Sequence, residues 1–199
     1  MTPLTPVPPV VLDANVLFPA SLRDILLRCA EKNLFRLRVS QQIWDEVVRN
    51  LFSTGRLTSE QVARLDTAIQ AFLRRTNALV TGYESLIPNL TNDPKDRHVL
   101  AVAIHAQAQT IVTVNLKDFP VHALSSYGIV AQHPDPFLTR LYRARPDVLV
   151  QIVNDQAGDL KNPPLSVTDV LDTLAQHAPT VISLLRAAIA AREDVVDQQ

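Results

Sequence analysis

Along residues 1–133 of the chain, short apolar runs alternate with stretches whose apolar residues recur every three or four positions. Val10-Val11-Leu12 reads as a buried strand over about 10–14, and Ile111-Val112-Thr113-Val114 as another over 110–114. Phe35 to Val39 alternates like a short strand, Ala78 to Thr81 suggests one more, and Gly128 to Ala131 a last one. Between them the spacing predicts a helix over about 22–33, with Ser21 as N-cap and Asp24 completing an imperfect capping box. Ser40 caps a second helix over about 41–52, in which Ile43, Trp44, Val47, Val48 and Leu51 keep a helical period before Gly55 breaks the chain. Ser59 begins a longer helix marked by Val62, Leu65, Ile69 and Phe72. A further helix starts near Pro94, which suits a first helical turn, and runs to about 108. Phe119-Pro120 starts a short helical turn. Alternating strands and helices, with four or five strands, predict an α/β fold with a parallel sheet covered by helices. Such sheets take ligands beyond the carboxyl ends of their strands.

The pattern changes after residue 133. Residues 134–199 hold helix-like stretches at about 135–144, 146–157, 167–177 and 180–192, with Pro163-Pro164 as a break and no strand pattern. The chain therefore divides into a proline-rich tail over 1–9, an α/β domain over 10–133 and a helical extension over 134–199, with a frayed end over 194–199. In the extension Leu138, Leu141, Leu149, Val150, Ile152, Val153, Leu171, Leu174, Ile182, Leu185 and Ile189 recur at helical spacing. Part of this surface should cover the domain's flank, and a surplus could bind a partner helix or a second copy; the alternative is a purely intramolecular subdomain.

Composition narrows the class. With 199 residues, 47% hydrophobic and 20% charged, the chain is an ordinary globular protein, and no apolar run approaches the roughly 20 residues of a membrane span. Met1-Thr2-Pro3-Leu4-Thr5-Pro6 lacks a basic region and a long apolar core, so no secretory signal is expected. Cys29 is the lone cysteine, beside Leu26 and Ala30 as a core residue would be, and a cytoplasmic protein is the simplest expectation. A net charge of −1 argues against a generally basic nucleic-acid binder, yet leaves room for a nuclease whose local Arg, Lys and metal hold phosphate. There is no glycine-rich phosphate loop, and the five histidines share no metal-ligand spacing.

Carboxylates carry the candidate chemistry. Asp13 ends the first apolar strand, and Asp118 lies four residues after Val114. Asp96 shares a helical face with Val99, Leu100 and Ala103, where a carboxylate is costly unless something compensates it, although charge near a helix N-terminus is favourable in itself. Asp93 is suited to be that helix's N-cap. Asp45 and Glu46 straddle the apolar stripe of their helix on opposite sides, so periodicity does not choose between them. Asn15 follows Asp13, and Asn115 stands before Asp118, where it could supply an oxygen ligand or orient a carboxylate. Acidic groups gathered at one sheet edge repel each other, and a hard divalent cation with oxygen ligands removes that cost.

In order, the strand ending in Asp13-Ala14-Asn15, then Trp44-Asp45-Glu46-Val47, then Asp93 to Ala103, then Thr113 to Phe119 resemble the PIN domain family, and within it the VapC-type toxins of bacterial toxin–antitoxin pairs. The resemblance covers residues 9–133 and implies a three-layer α/β/α fold and a metal-dependent endoribonuclease using Mg²⁺ or Mn²⁺. It carries the acidic set onto Asp13, Glu46, Asp96 and Asp118, selects Glu46 over Asp45, and matches Asn115 to a polar position beside the last acid. It also implies an RNA substrate, an antitoxin protein and a homodimer. Lys95, Arg97 and Lys117 flank the acids and are candidates to contact phosphates. The competing expectations are a PIN-like module that holds RNA or protein without cutting, and a metal-dependent DNA nuclease or phosphatase.

Overall fold

Four short strands, β1 (Pro9–Leu12), β2 (Arg36–Arg38), β3 (Thr110–Val112) and β4 (Val130–Gln132), form one parallel sheet in the order β2-β1-β3-β4. The computed structural model describes residues 7–161 and 163–196, the last four as backbone only. Val10 pairs with Leu37 on one side and Thr110 on the other. Val10, Val11 and Leu12 are all buried, as a central strand covered on both faces requires. From β1 the chain moves towards β2, and from β3 it moves the opposite way towards β4. The carboxyl ends of β1 and β3 therefore flank a topological switch point, where open α/β sheets form their ligand crevice.

Helix α1 (Ala14–Leu17) and helix α2 (Ala20–Glu31) carry the crossover from β1 to β2. Helices α3 (Gln41–Thr54), α4 (Ser59–Arg75) and α5 (Arg97–His105) carry the return from β2 to β3, and α5 packs on β1 and β3. Right-handed crossovers that run in opposite directions lie on opposite faces, which gives the three α/β/α layers. Helix α6 (Val121–Leu124) leads into β4. Helices α7 (Pro134–Ala144), α8 (Pro146–Asp159), α9 (Val167–Ala175) and α10 (Pro179–Val196) follow, with α8 and α9 packed on α2. Among the described residues no helix is long and apolar enough to cross a membrane.

Local chemistry sets the boundaries that position the site. Ser40 caps α3 by accepting from the Ile43 amide at 3.2 Å, and Gly55 ends that helix at φ 62°, a left-handed conformation glycine takes without strain. Thr58 and Gln61 form a capping box at α4. Several expected boundaries moved. Pro19, not Ser21, is the N-cap of α2, and Asp24 pairs with Arg28 one turn on at 2.8 Å instead of completing a capping box. Ala78 to Thr81 contributes a single bridge, Val39 to Leu79, and no strand. Pro94-Lys95-Asp96 form a turn, so α5 begins at Arg97, and it stops at His105 because Gln107 turns to φ 53°. Strand β1 opens at Pro9, inside the expected tail, and α10 runs to Val196, past the point where fraying was expected; residues 1–6 and 197–199 lie outside the described ones.

The extension is consumed internally. Of its eleven spaced apolar residues, all but Ile189 are buried, in contacts among α7 to α10 and against α2. Phe137 meets Phe35 edge-on at 5.2 Å between ring centroids. The expected surplus for a partner is not on this face, since tertiary packing took the stripe that the periodicity marked.

Candidate active site

Asp13 follows the last residue of β1 and is buried, with 2% of its surface exposed. Its backbone amide still donates to the Val112 carbonyl at 3.0 Å, so it stands beside Thr113 at the ends of two neighbouring strands. Its Oδ1 accepts from the Ala14 amide at 2.7 Å. Its Oδ2 accepts from Asn15 Nδ2 at 2.6 Å and from the Thr113 hydroxyl at 2.7 Å. Thr113 Oγ1 in turn accepts from Asn15 Nδ2 at 2.9 Å and from the Asn115 amide at 3.0 Å, while Asn15 Oδ1 accepts from the Val114 amide at 3.1 Å. Both carboxylate oxygens of Asp13 are held by donors from Ala14, Asn15 and Thr113, which fix its orientation and leave Oδ1 further acceptor capacity.

Asp96 occupies the N-cap position of α5, yet its side chain makes no capping bond. A structural cap would spend its carboxylate on the first turn; this one is half-buried and unspent. Asp93 does the local work, accepting from the Lys95 amide at 2.9 Å, and its own amide donates to the Asp118 carbonyl at 3.2 Å. That last bond ties the loop after β3 to the turn before α5 and brings Asp118 to the same end of the sheet. On α3, Asp45 is exposed and accepts from Gln41 at 2.8 Å, whereas Glu46 is half-buried with its Oε2 3.9 Å from His98 Nε2 on α5.

Lys95 and Lys117 are exposed, and Arg97 is half-buried, donating to the Asn92 carbonyl at 3.4 Å. The side chain of Asn115 makes no hydrogen bond among the described residues; the carboxylate-orienting role belongs to Asn15 and Thr113, because they reach Asp13 across the β1–β3 pair. Sequence reasoning passed over two residues. Thr113 carries a signal in hindsight, as a hydroxyl ending an otherwise apolar run. His98, read as an ordinary residue, is 4% exposed, with Nδ1 2.9 Å from the Lys95 carbonyl and a buried Nε2 without a hydrogen-bond partner. Nothing in the periodicity marks it, since it sits among apolar neighbours. Thr113→Val keeps the shape but removes a donor from Asp13 and strands the Asn15 and Asn115 groups; a loss of about 1–3 kcal/mol is expected in denaturant melts. A change within error would mean that water replaces the hydroxyl.

The electrostatics show what the arrangement costs. Burial, opposed by its hydrogen bonds and reinforced by Glu46, pushes Asp13 up to about 6. Burial first, then Asp13, Asp118, Asp93 and Glu46, push Asp96 up to about 7. Among the described residues no Lys or Arg forms an ion pair with Asp13, Asp96, Asp118 or Glu46. The donor set is rich in carboxylate oxygen, and its charge is uncompensated, which fits a hard divalent cation. Among the described residues, however, no group of three His, Cys, Asp or Glu side chains already stands where it could hold a metal ion. Charge repulsion reaches farther than a coordination bond, so both observations hold together: the acids share one field without forming a closed ligand shell.

A pH dependence follows. The folded chain keeps protons on Asp13 and Asp96 where the unfolded chain, at 3.8, has lost them, so the stability they confer is present in acid and falls as pH rises towards about 7. For Asp13 alone the loss is on the order of 3 kcal/mol. His98 and His177, both lowered by burial, pull the opposite way as pH falls through 6.5. In EDTA the wild type should therefore lose more stability than an Asp96→Asn chain between pH 5 and pH 7, a difference to which the histidines common to both do not contribute, and Mn²⁺ should restore the wild type at the neutral end; identical profiles would contradict the shared field.

Comparison with known proteins places this geometry. A family model described as PIN domain matches residues 9–117, and one described as VapC50 C-terminal domain matches residues 134–187. The curated "Putative ribonuclease VapC50" of Mycobacterium tuberculosis (strain ATCC 25618 / H37Rv) is 38% identical over 104 residues, which cover 52% of this chain. The matched stretch spans 62% of that relative's length, less than two thirds. No solved structure is a significant match. With the PIN model running from β1 into the loop after β3, over a parallel sheet whose carboxyl edge gathers the acids, the chain belongs to the PIN domain family.

Proposed function

We propose that this chain is a metal-dependent endoribonuclease of the VapC type, the toxin of a toxin–antitoxin pair acting in the cytoplasm. The observation that carries the reading is the gathering of Asp13, Glu46, Asp96 and Asp118 at the switch point, where burial and then the charges of its acidic neighbours push Asp96 up to about 7. The printed name of the Mycobacterium tuberculosis relative and the match to the VapC50 C-terminal domain support the same reading.

In this reading Asp13, Asp96 and Asp118 hold Mg²⁺ or Mn²⁺, with Glu46 joining directly or through water. The chemistry the ion supplies is acidification of water and neutralisation of charge on the phosphate. Asn15 and Thr113 keep the Asp13 carboxylate oriented. Lys95, Arg97 and Lys117, beside the acids, contact RNA phosphates. A homodimer and an antitoxin partner follow from VapC-type membership.

The test is cleavage of single-stranded RNA against DNA, with Mn²⁺, Mg²⁺ or EDTA. RNA cut only with metal supports the reading; DNA cut preferentially makes the chain a DNA nuclease. The lack, among the described residues, of a preformed three-ligand group favours a second reading, a PIN-fold module that holds RNA without cutting. Tight RNA binding with no cleavage in any metal would establish it.

A further inference from the structure

We propose that the β2 edge of the sheet is a second contact site for the RNA phosphate backbone, built by Arg36, Arg38 and Arg75 away from the acidic site. The inference rests on the ribonuclease reading. Arg36 pairs with Pro9 and Arg38 with Val11, so the patch begins at the opposite end of β1 from Asp13. At roughly 3.3 Å per residue, the level of Arg36 lies about 13 Å back along the strand from that carboxylate. A bound RNA strand bridges such a span in a few nucleotides.

The site is a cavity of about 380 Å³ between the carboxyl ends of α2 and α4. Its guanidinium groups are held by backbone oxygens: Arg36 Nε donates to the Val7 carbonyl at 2.9 Å, and Arg38 donates to the Asn77 carbonyl at 2.5 Å. Arg75 donates to Glu31 at 2.8 Å and lies over the Phe72 ring. Glu31 is the one acid on the lining, and among the described residues no carboxylate pairs with Arg36 or Arg38. Burial, and then the charge of Arg36, push Arg38 below its ordinary value, as expected for a guanidinium short of an anion. Arg36, Arg38 and Arg75 are three of the nineteen Lys and Arg residues of a chain with net charge −1, gathered on one lining.

The acidic site itself repels RNA, and the net charge offers no general attraction. A polyanion is held near those carboxylates only if positive charge nearby compensates, and forked guanidiniums anchored at one nitrogen keep their others free for phosphate oxygens. A docked acidic peptide would meet the same charges, but it would not need to bridge to the acidic site.

The experiment uses the full chain with Asp96→Asn, to separate binding from cleavage, and compares a long unstructured RNA with an oligonucleotide that spans only the acidic site. Arg36→Gln/Arg38→Gln should weaken the long RNA about tenfold and lower the slope of log affinity against log salt by about 1.4, since each lost single-strand contact contributes about 0.7. The short RNA should be unaffected, and Arg36→Lys/Arg38→Lys, which keeps the charge but not the fork, should keep the salt slope and lose only part of the affinity. If the glutamine pair melts below assay temperature, Arg75→Gln, whose side chain is exposed, takes its place. Unchanged affinity for the long RNA, equal losses on both lengths, or a polyglutamate peptide bound more tightly than RNA through Arg36 would overturn the proposal. Arginine-dependent binding in a chain whose wild type never cuts RNA would leave this site standing and remove the ribonuclease reading. Cleavage by the wild type with no effect of the arginines would do the reverse.

Discussion

An Asp96→Asn chain is expected to lose metal-dependent RNA cleavage by more than about 100-fold, beyond the usual cost of removing a group that merely supports a metal site. In EDTA at alkaline pH the same chain should melt at the wild-type temperature or higher. Both effects have one cause. The Asp96 carboxylate makes no capping bond, is half-buried, and is repelled by Asp13, Asp118, Asp93 and Glu46. Asparagine keeps the size and removes the repelled charge, so the apo protein is relieved, while under the proposed reading a bound cation would lose a ligand. Mn²⁺ should then raise the melting temperature of the wild type more than that of the variant. Retained cleavage, or a marked fall in apo stability, would make Asp96 a structural residue of the α5 turn.

Ending the chain at His133 is expected to abolish cooperative folding and to give an aggregating product. Helix α2 buries Leu22, Ile25, Leu26 and Cys29, and α8 and α9 pack on this helix. The deletion also removes Phe137, Leu149, Ile152, Val153, Leu171 and Leu174, all buried. At about 1.5–3 kcal/mol per side chain, six such losses rival the about 5–15 kcal/mol that hold a typical domain folded. Phe137→Ala in the full chain is the graded version, at about 3–5 kcal/mol, because the Phe35 ring loses its edge-on neighbour. Thermal melting and light scattering read both. A soluble fragment that melts cooperatively near the full-chain temperature would show that the extension is an appendage.

Much of the architecture was legible because burial writes a period into the chain. The run before Asp13 announced a central strand, Ser40 and Gly55 announced the ends of α3, and the breaks at residues 145 and 163 announced the helices of the extension. The resemblance supplied the three-layer fold, which the family match and the sheet order bear out. Pattern was less informative where one residue's partner lies far along the chain. Asp45 and Glu46 straddle the apolar stripe equally, and it is the packing of α3 on α5 that sets Glu46 beside His98 and leaves Asp45 in solvent.

By itself the sequence determined most of the strands and helices, Ala78 to Thr81 excepted, and that unusually placed acids stand near their ends, because periodicity and caps are local properties. Only the tertiary structure decided that Asn15 and Thr113 orient Asp13, that Asp96 spends nothing on its own helix, that the apolar faces of α7 to α10 are buried within the chain, and that Arg36, Arg38 and Arg75 meet at the β2 edge. Each of those outcomes depends on a hydrogen bond or a packed face between residues tens of positions apart, and such a partnership leaves no period in the sequence.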